Sequence, residues 1–265
     1  MNTTTFYSYD EDLHTNTSAE IIVNHVMNLL HPTSVSDFGC GKGQFLNAFK
    51  NSGVSTVHGY DGPWAKEPSR ENLDEQEFTC VDFEQAAQIH PQKTDVALSL
   101  EVAEHLSATS ARDFIRLLCE SSDVIIFSAA LPLQGGQGHI NEQPLSYWSD
   151  LFKTEGYMPF DLLRYILWDD DNIEVWYRQN LCIFVKASSI AEDTLSHASD
   201  SYLQKSETDM IRHPKTIVHP SFFEMRAKEY EDRLDLIYNG GIKPTSYLYL
   251  CAKSIVRKIK RDANA

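Results

Sequence analysis

The chain has 265 residues, 42% of them hydrophobic, and a formal net charge of −15. That is enough apolar material for one α/β domain with an elaboration, while the acidity argues against a duplex-DNA binder, because tracking phosphates needs a positive surface that displaces counterions. Cys40, Cys80, Cys119, Cys182 and Cys251 are widely spread with no C-x-x-C pair, which argues against a disulfide framework or zinc ribbon and suggests reduced, cytosolic thiols.

The N-terminal residues are polar, without a basic stretch leading into an apolar one, and no run approaches the length that crosses a bilayer; a soluble, cytoplasmic protein is expected. Residues 1–17 read as irregular. Thr15 to Ser18 form an N-cap region for a helix from Ala19 to Leu30, with Ile21, Ile22, Val26, Leu29 and Leu30 apolar, and His31 and Pro32 stop it. An apolar run from Ser34 to Phe38 then predicts a strand. It ends in Gly39, Gly41 and Gly43 at alternate positions, after which Phe45, Leu46 and Phe49 recur at helical spacing to about Asn51.

A strand, glycine loop and helix of this kind bring backbone N–H groups and a helix N-terminus up to a nucleotide. The dinucleotide fingerprint G-x-G-x-x-G fails, because position 44 is Gln, and this weighs against an NAD-dependent oxidoreductase. Asp37 stands before the first glycine, and Asp61 ends a second strand, Ser55 to Tyr60. The two carboxylates fit a ligand with a cationic amino-acid end and a ribose diol. At this point the chain resembles the class I S-adenosylmethionine (SAM) methyltransferases, whose first motif reads D/E-x-G-x-G-x-G. The resemblance implies S-adenosyl-L-methionine as cofactor, held by Asp37, Gly39, Gly41, Gly43, Asp61 and Gly62, with Leu100 beside it.

Residues 62–76 are Pro-rich and charged and read as a loop that leaves Trp64 near the ribose or adenine edge, or packing. A third strand, Phe78 to Val81, closes on Asp82 and Phe83; the carboxylate is placed to meet an adenine amino group or to cap a helix, and the Phe to line the ring. A fourth strand, Asp95 to Leu100, runs into Glu101, Glu104 and His105. A helix from Ser107 or Ser110 to Cys119 and a fifth strand, Asp123 to Ala129, follow. The loop from Leu131 to Pro144 is too polar for core and too long for a mere connection, and it carries His139, Asn141, Glu142 and Gln143. After it come a helix from Leu145 to Thr154, a strand from Met158 to Leu163, an aromatic and acidic stretch from Ile166 to Asn180, and an antiparallel strand at Leu181 to Lys186. The polar residues from Ala187 to about His213 read as a linker or mobile lid, and two helices, His219 to Tyr238 and Pro244 to Lys260, end the chain.

This alternation predicts a Rossmann-like fold: a mostly parallel seven-stranded sheet with helices on both faces, and ligands beyond the carboxyl ends of its strands. Residues 1–186 would form the SAM-binding catalytic domain, and 187–265 the linker or lid and a C-terminal helical extension.

Glu101, Glu104 and His105 stand at i, i+3 and i+4, so one helical turn would place all three on one face, with His139 arriving from the next loop. Two carboxylates and two imidazoles can form a divalent-metal site with open positions; without an ion, the Glu favours a helix N-terminus and the His packs over the cofactor. E-x-x-E-H with a later His is similar to the metal site of small-RNA 3′-terminal 2′-O-methyltransferases and to the E-x-x-E-H of ubiquinone-pathway O-methyltransferases. That resemblance implies Glu101, Glu104, His105 and His139 as ligands of an ion such as Mg, Mn, Fe or Zn. The runs Ser99 to Leu106, Gly135 to Gln143, Tyr147 with Trp148, and Trp176 to Asn180 resemble a bacterial subgroup often found among genes for surface glycans or natural products.

The expected activity is O-methylation of a hydroxyl on a sugar, glycan or other small polyol or natural product. A hydroxyl needs either a metal or a general base, and His139 or His105 suits both roles. Asn141, Glu142 and Gln143 would orient the acceptor, and Tyr147, Trp148, Trp176 and Tyr177 would form its walls, or else be ordinary core. The alternatives are an RNA 2′-O-methyltransferase, disfavoured by the acidity; a small-molecule N-methyltransferase; and a SAM-binding regulator or scaffold. In the last helix an apolar set (Tyr247, Leu248, Leu250, Ile255, Val256, Ile259) accompanies the basic Lys253, Arg257, Lys258, Lys260 and Arg261. Docking on the fold, a homodimer contact, or peripheral contact with an anionic membrane would each use it.

Overall fold

The structure, a computed structural model, describes residues 16–202, 217–239, 241 and 243–262. The chain divides into two compact units, Met1–His219 and Pro220–Ala265.

In the first unit, helix α1 (Asn16–Leu30) precedes strand β1 (Ser34–Phe38), α2 (Gln44–Asn51), β2 (Thr56–Asp61), β3 (Phe78–Cys80) and β4 (Val96–Leu100). Then follow α3 (Ala108–Ser121), β5 (Val124–Ser128), α4 (Leu145–Thr154), β6 (Tyr157–Phe160), α5 (Leu162–Leu167), α6 (Val175–Asn180), β7 (Cys182–Lys186) and α7 (Ile190–Tyr202). The seven strands order as β3-β2-β1-β4-β5-β7-β6. The first five strands are parallel, while β7 runs antiparallel to both β5 and β6. This is the mostly parallel, Rossmann-like sheet expected.

Near-continuous apolar strands are what a sheet covered on both faces requires. Alternate residues point to opposite layers. Val35, Val57, Leu98, Ile126 and Ile183 pack with Ile22, Val26, Leu46 and Phe49 of α1 and α2. Phe38, Ala97, Ile125, Phe127 and Phe184 pack with Phe114 and Leu118 of α3 and with Trp148 and Phe152 of α4. Because β1 lies between β2 and β4, the chain leaves the sheet in opposite directions there, and a crevice opens beyond the carboxyl ends of β1 and β4.

Three local features differ from expectation. The sixth strand stops at Phe160; Leu162 and Leu163 are fully buried in α5, where the buried Asp161–Arg164 ion pair also sits. The aromatic and acidic stretch before β7 supplies that helix's end and α6. The polar stretch from 187 contains α7, which buries Leu195 in the core; its helical register outweighs a composition that suggests linker or lid. The remaining part of that stretch, 203–213, lies outside the described residues, as do residues 1–15.

Among its described residues, the second unit contains two helices, Pro220–Tyr238 and Pro244–Asp262. The Tyr247 hydroxyl donates to the carbonyls of Ile237 at 2.6 Å and Leu236 at 3.2 Å, tying the second helix to the end of the first. Among the described residues, no helix is long and apolar enough to cross a membrane.

Candidate active site

The crevice is a cavity of about 510 Å³ lined from both sides of the β1–β4 switch point. On one side β1 delivers Asp37 and the glycine loop, and β2 delivers Asp61. Gly39 has φ +95°, and a Cβ there would lie 2.2 Å from Val102 Cγ2, so only glycine lets the loop pass this close to the end of β4. Asp61 is 6% exposed and accepts from Gly41 N at 2.8 Å and Gly62 N at 2.6 Å. A side-chain hydrogen bond from Trp64 adds to these. Asp37 is 3% exposed, and its Oδ1 has no hydrogen-bond partner. Burial, and next the Asp61 charge, push its carboxyl up to about 8. A buried carboxylate in this state gains from a cation brought in by a ligand.

Trp64, Asp82, Phe83 and Leu100 also line the cavity. Asp82 caps the turn after β3, accepting from Glu84 N at 3.0 Å and Gln85 Nε2 at 3.0 Å. Phe83 packs against Phe38 and Phe114. Gly43 and Gly62 do not line the cavity; they lie against Leu73 and Trp64.

Across the cavity, β4 ends in Glu101, whose φ of +56° is the left-handed region that non-glycine residues seldom enter. A short 3-10 turn, Ala103–His105, follows. The expected single helical face is therefore broken between Glu101 and Glu104. Glu104 is fully buried, and neither of its carboxylate oxygens has a partner with hydrogen-bond geometry. Burial, and then repulsion from Glu101, raise its carboxyl well above the usual range.

The loop after β5 is registered on this turn by backbone bonds, from Ile140 N to Glu104 O at 3.0 Å and from Asn141 N to Glu104 O at 2.9 Å. His139 is thereby carried to Glu104, with its Nε2 3.8 Å from Glu104 Oε1. Its ring lies against Gly136, where a Cβ would come within 2.2 Å of Nε2. The His105 and His139 rings stand perpendicular with centroids 4.8 Å apart. Burial, and then the His139 charge, hold the His105 imidazole down at about 4, so it is neutral at physiological pH. Ligand atoms of Glu104, His105 and His139 all lie within 4.8 Å of one another. An ion with ligands at about 2.1 Å needs only modest side-chain movement to join them. Glu101 lies outside this group: its carboxylate accepts from Gln134 Nε2 at 2.7 Å and Asn180 Nδ2 at 3.1 Å.

Of the residues expected to meet an acceptor, Trp176 and Tyr177 line the cavity. Glu142 instead ties the loop together, accepting from Leu133 N at 2.8 Å and Gly135 N at 2.6 Å and holding His139 Nδ1 at 3.0 Å. Asn141 is buried and accepts from Gln143 Nε2 at 3.0 Å, and Gln143 N reaches Ala130 O at 3.2 Å. Trp148 is 1% exposed against Phe127, with Tyr147 beside it; both are outside the cavity lining. Gln134 and Asn180 are site residues to which the sequence assigned no role. Their only signal was membership of the glycine-rich loop and of the Trp176 to Asn180 run.

A family model described as a methyltransferase domain matches residues 23–160, more than half of the chain. A search of curated proteins finds no match. Among solved structures, DesVI from Streptomyces venezuelae is similar in fold, with a TM-score of 0.51 and 13% identity over 68% of this chain and 100% of that one. An O-methyltransferase family protein from Burkholderia thailandensis follows at TM-score 0.46 and 12% identity, over 66% and 59% of the two chains. Human N-acetylserotonin methyltransferase in complex with SAM gives 0.45 and 14%, over 63% and 51%. The chain therefore spans between half and three fifths of the length of the last two. By its domain match, sheet order and glycine-loop crevice, this chain belongs to the methyltransferase-domain family as a class I S-adenosylmethionine-dependent methyltransferase.

Proposed function

We propose that the enzyme transfers the methyl group to a hydroxyl oxygen of a sugar, glycan or other small polyol, with a divalent ion held by Glu104, His105 and His139. The observation that carries this is the fully buried Glu104, whose two oxygens make no well-formed hydrogen bond, set beside two imidazoles in the cavity lined by the glycine loop. Burial of this carboxylate costs more than the backbone N–H groups of Glu104 and Ala130 return. An ion that completes the cluster removes that cost, and the two-imidazole, one-carboxylate donor set fits a divalent transition metal with open positions.

Bound SAM supplies a methyl group on a positively charged sulfur. On this reading Asp37 answers the cationic amino-acid end and Asp61 the ribose diol, with Phe83, Trp64 and Asp82 around the adenine. A bound ion supplies a Lewis acid that lowers the pKa of a coordinated hydroxyl. Glu104, His105 and His139 would present that position from the β4 end, and Trp176 and Tyr177 would give the acceptor an aromatic wall. Alignment of the acceptor oxygen with the methyl carbon supplies much of the rate, so the chain's main work is orientation. The net charge of −15 supports a small or neutral acceptor over a nucleic acid.

The test is incubation with deuteromethyl SAM and a panel of sugars, nucleosides, catechols and amines, with Mn²⁺ or with EDTA, read by mass spectrometry. Ion-dependent methylation of an oxygen in a vicinal diol is expected. Transfer confined to amines, or no transfer to any hydroxyl, contradicts the reading. Transfer to a hydroxyl at an undiminished rate in EDTA assigns proton removal to His139 Nε2, its Nδ1 being held by Glu142.

A further inference from the structure

Glu101 lies next to the Glu104 cluster, close enough for its charge to act on Glu104, yet it is held by a different set of groups. Leu131 N–H, which can only donate, reaches Gln134 Oε1 at 3.1 Å. This fixes the Gln134 amide so that its Nε2 faces Glu101 Oε2 at 2.7 Å. Asn180 touches two acceptors, Glu101 Oε1 at 3.1 Å and Gln134 Oε1 at 2.9 Å, so its Nδ2 must be the atom between them. Gln134 is 8% exposed and Asn180 3%. Each oxygen of Glu101 therefore meets one buried amide donor. The Glu101 N–H is anchored as well, to Ser128 O at 3.0 Å and Ser128 Oγ at 3.1 Å, which accounts for a left-handed backbone that would otherwise relax.

We propose that Gln134 and Asn180 are positioning residues that hold Glu101 out of the ion's ligand set. The ion then has three protein ligands, Glu104, His105 and His139, and keeps open positions for two oxygens of a diol. A fourth protein ligand would fill one of those positions. The clamped Glu101 faces the cavity as a hydrogen-bond acceptor for the acceptor's hydroxyl group. This inference rests on the ion reading above and adds the division of labour within it.

The test is Mn²⁺ titration of the full chain saturated with S-adenosylhomocysteine (SAH), followed by electron paramagnetic resonance of free Mn²⁺, with SAH affinity and melting temperature recorded for each variant. Glu101→Gln is expected to bind Mn²⁺ within about threefold of wild type, and Glu104→Gln about 100-fold more weakly. Asn180→Ala and, separately, Gln134→Ala release Glu101, and each is expected to tighten Mn²⁺ binding about tenfold through an added carboxylate. That gain should vanish in Asn180→Ala/Glu101→Gln, a pattern that a merely structural role for the amides would not give. Equal loss of Mn²⁺ in Glu101→Gln and Glu104→Gln overturns the proposal while leaving the ion in place, and that comparison decides even if the release variants unfold. Unchanged or weaker binding in folded Asn180→Ala and Gln134→Ala overturns it too. Wild-type protein that binds SAH but no Mn²⁺ refutes the ion reading itself and this inference with it.

Discussion

At one end of the cavity Asp37 is buried with one oxygen that has no partner; at the other, Glu104 is buried with two. Both carboxyls are raised by burial first and by a second carboxylate next, Asp61 for Asp37 and Glu101 for Glu104. Their surroundings differ. Around Asp37 the nearby amides of Gly41 and Gly62 are already engaged by Asp61, so the place open beside it suits an organic cation brought by the cofactor. Around Glu104 stand two imidazoles, one of them held neutral, a donor set whose lone pairs suit a transition metal. On the proposed reading, the same buried group selects a different cation according to its neighbours.

The sharpest way to break this comparison is Asp37→Ala. Removing the partner of a buried charge costs about 3–5 kcal/mol, so SAH affinity measured by calorimetry should fall at least about 100-fold, while Mn²⁺ affinity stays within about threefold of wild type. Equal losses of both ligands would mean that the two ends are one electrostatic unit. Trp148→Ala should lower stability in urea by about 3 kcal/mol, the cost of a large core cavity, and leave SAH affinity intact. A folded, stable variant with impaired methyl transfer would instead move Trp148 to the acceptor wall.

Asp61→Asn sharpens the contrast between a satisfied carboxylate and one with a free oxygen. Asp61 already accepts two backbone bonds, so its loss should weaken SAH by about 1–2 kcal/mol, less than the loss of Asp37. Asp37 also sets a pH slope. The Asp37 carboxyl sits at about 8 in the fold against an ordinary 3.8; between those values the folded state holds the extra proton, so stability of the ligand-free protein falls as pH rises through that window. The melting temperature of wild type minus that of Asp37→Asn should drop by about 7–15 °C from pH 5 to pH 8. A difference that stays flat would mean Asp37 is ionised without its ligand.

The two ends also differ in how far they can be read from sequence. Asp37, Gly39, Gly41 and Asp61 are fixed by short strands and a loop whose geometry is local, so the motif is enough to bring these residues to one cavity wall. Glu104, His105 and His139 come together because the loop after β5 zips its backbone onto Glu104 O, and the His pair is legible only as a spacing. Glu101 shows where spacing fails: i, i+3, i+4 predicts a shared helical face, but a positive φ and a 3-10 turn break it. Gln134 and Asn180 lie 46 positions apart, and nothing in either segment marks them as a pair. Glu142 and Trp148 were legible as polar and aromatic; whether such a residue ties a loop, fills a core or faces a cavity is set by tertiary packing. The sheet itself was the easiest part, because buried parallel strands need continuous apolar runs, while the strand-versus-helix choice at Leu162 and Leu163 was not resolvable from a short apolar stretch.

The most direct test of two cations in one cavity uses SAM labelled with ¹³C in its transferable methyl group, bound to the full chain without acceptor, with the methyl relaxation rate followed as Mn²⁺ is added. Strong acceleration in wild type, abolished in His139→Ala at equal SAM occupancy, is the expected result. Mn²⁺ that binds without accelerating the methyl relaxation, or acceleration that survives in His139→Ala, would contradict it.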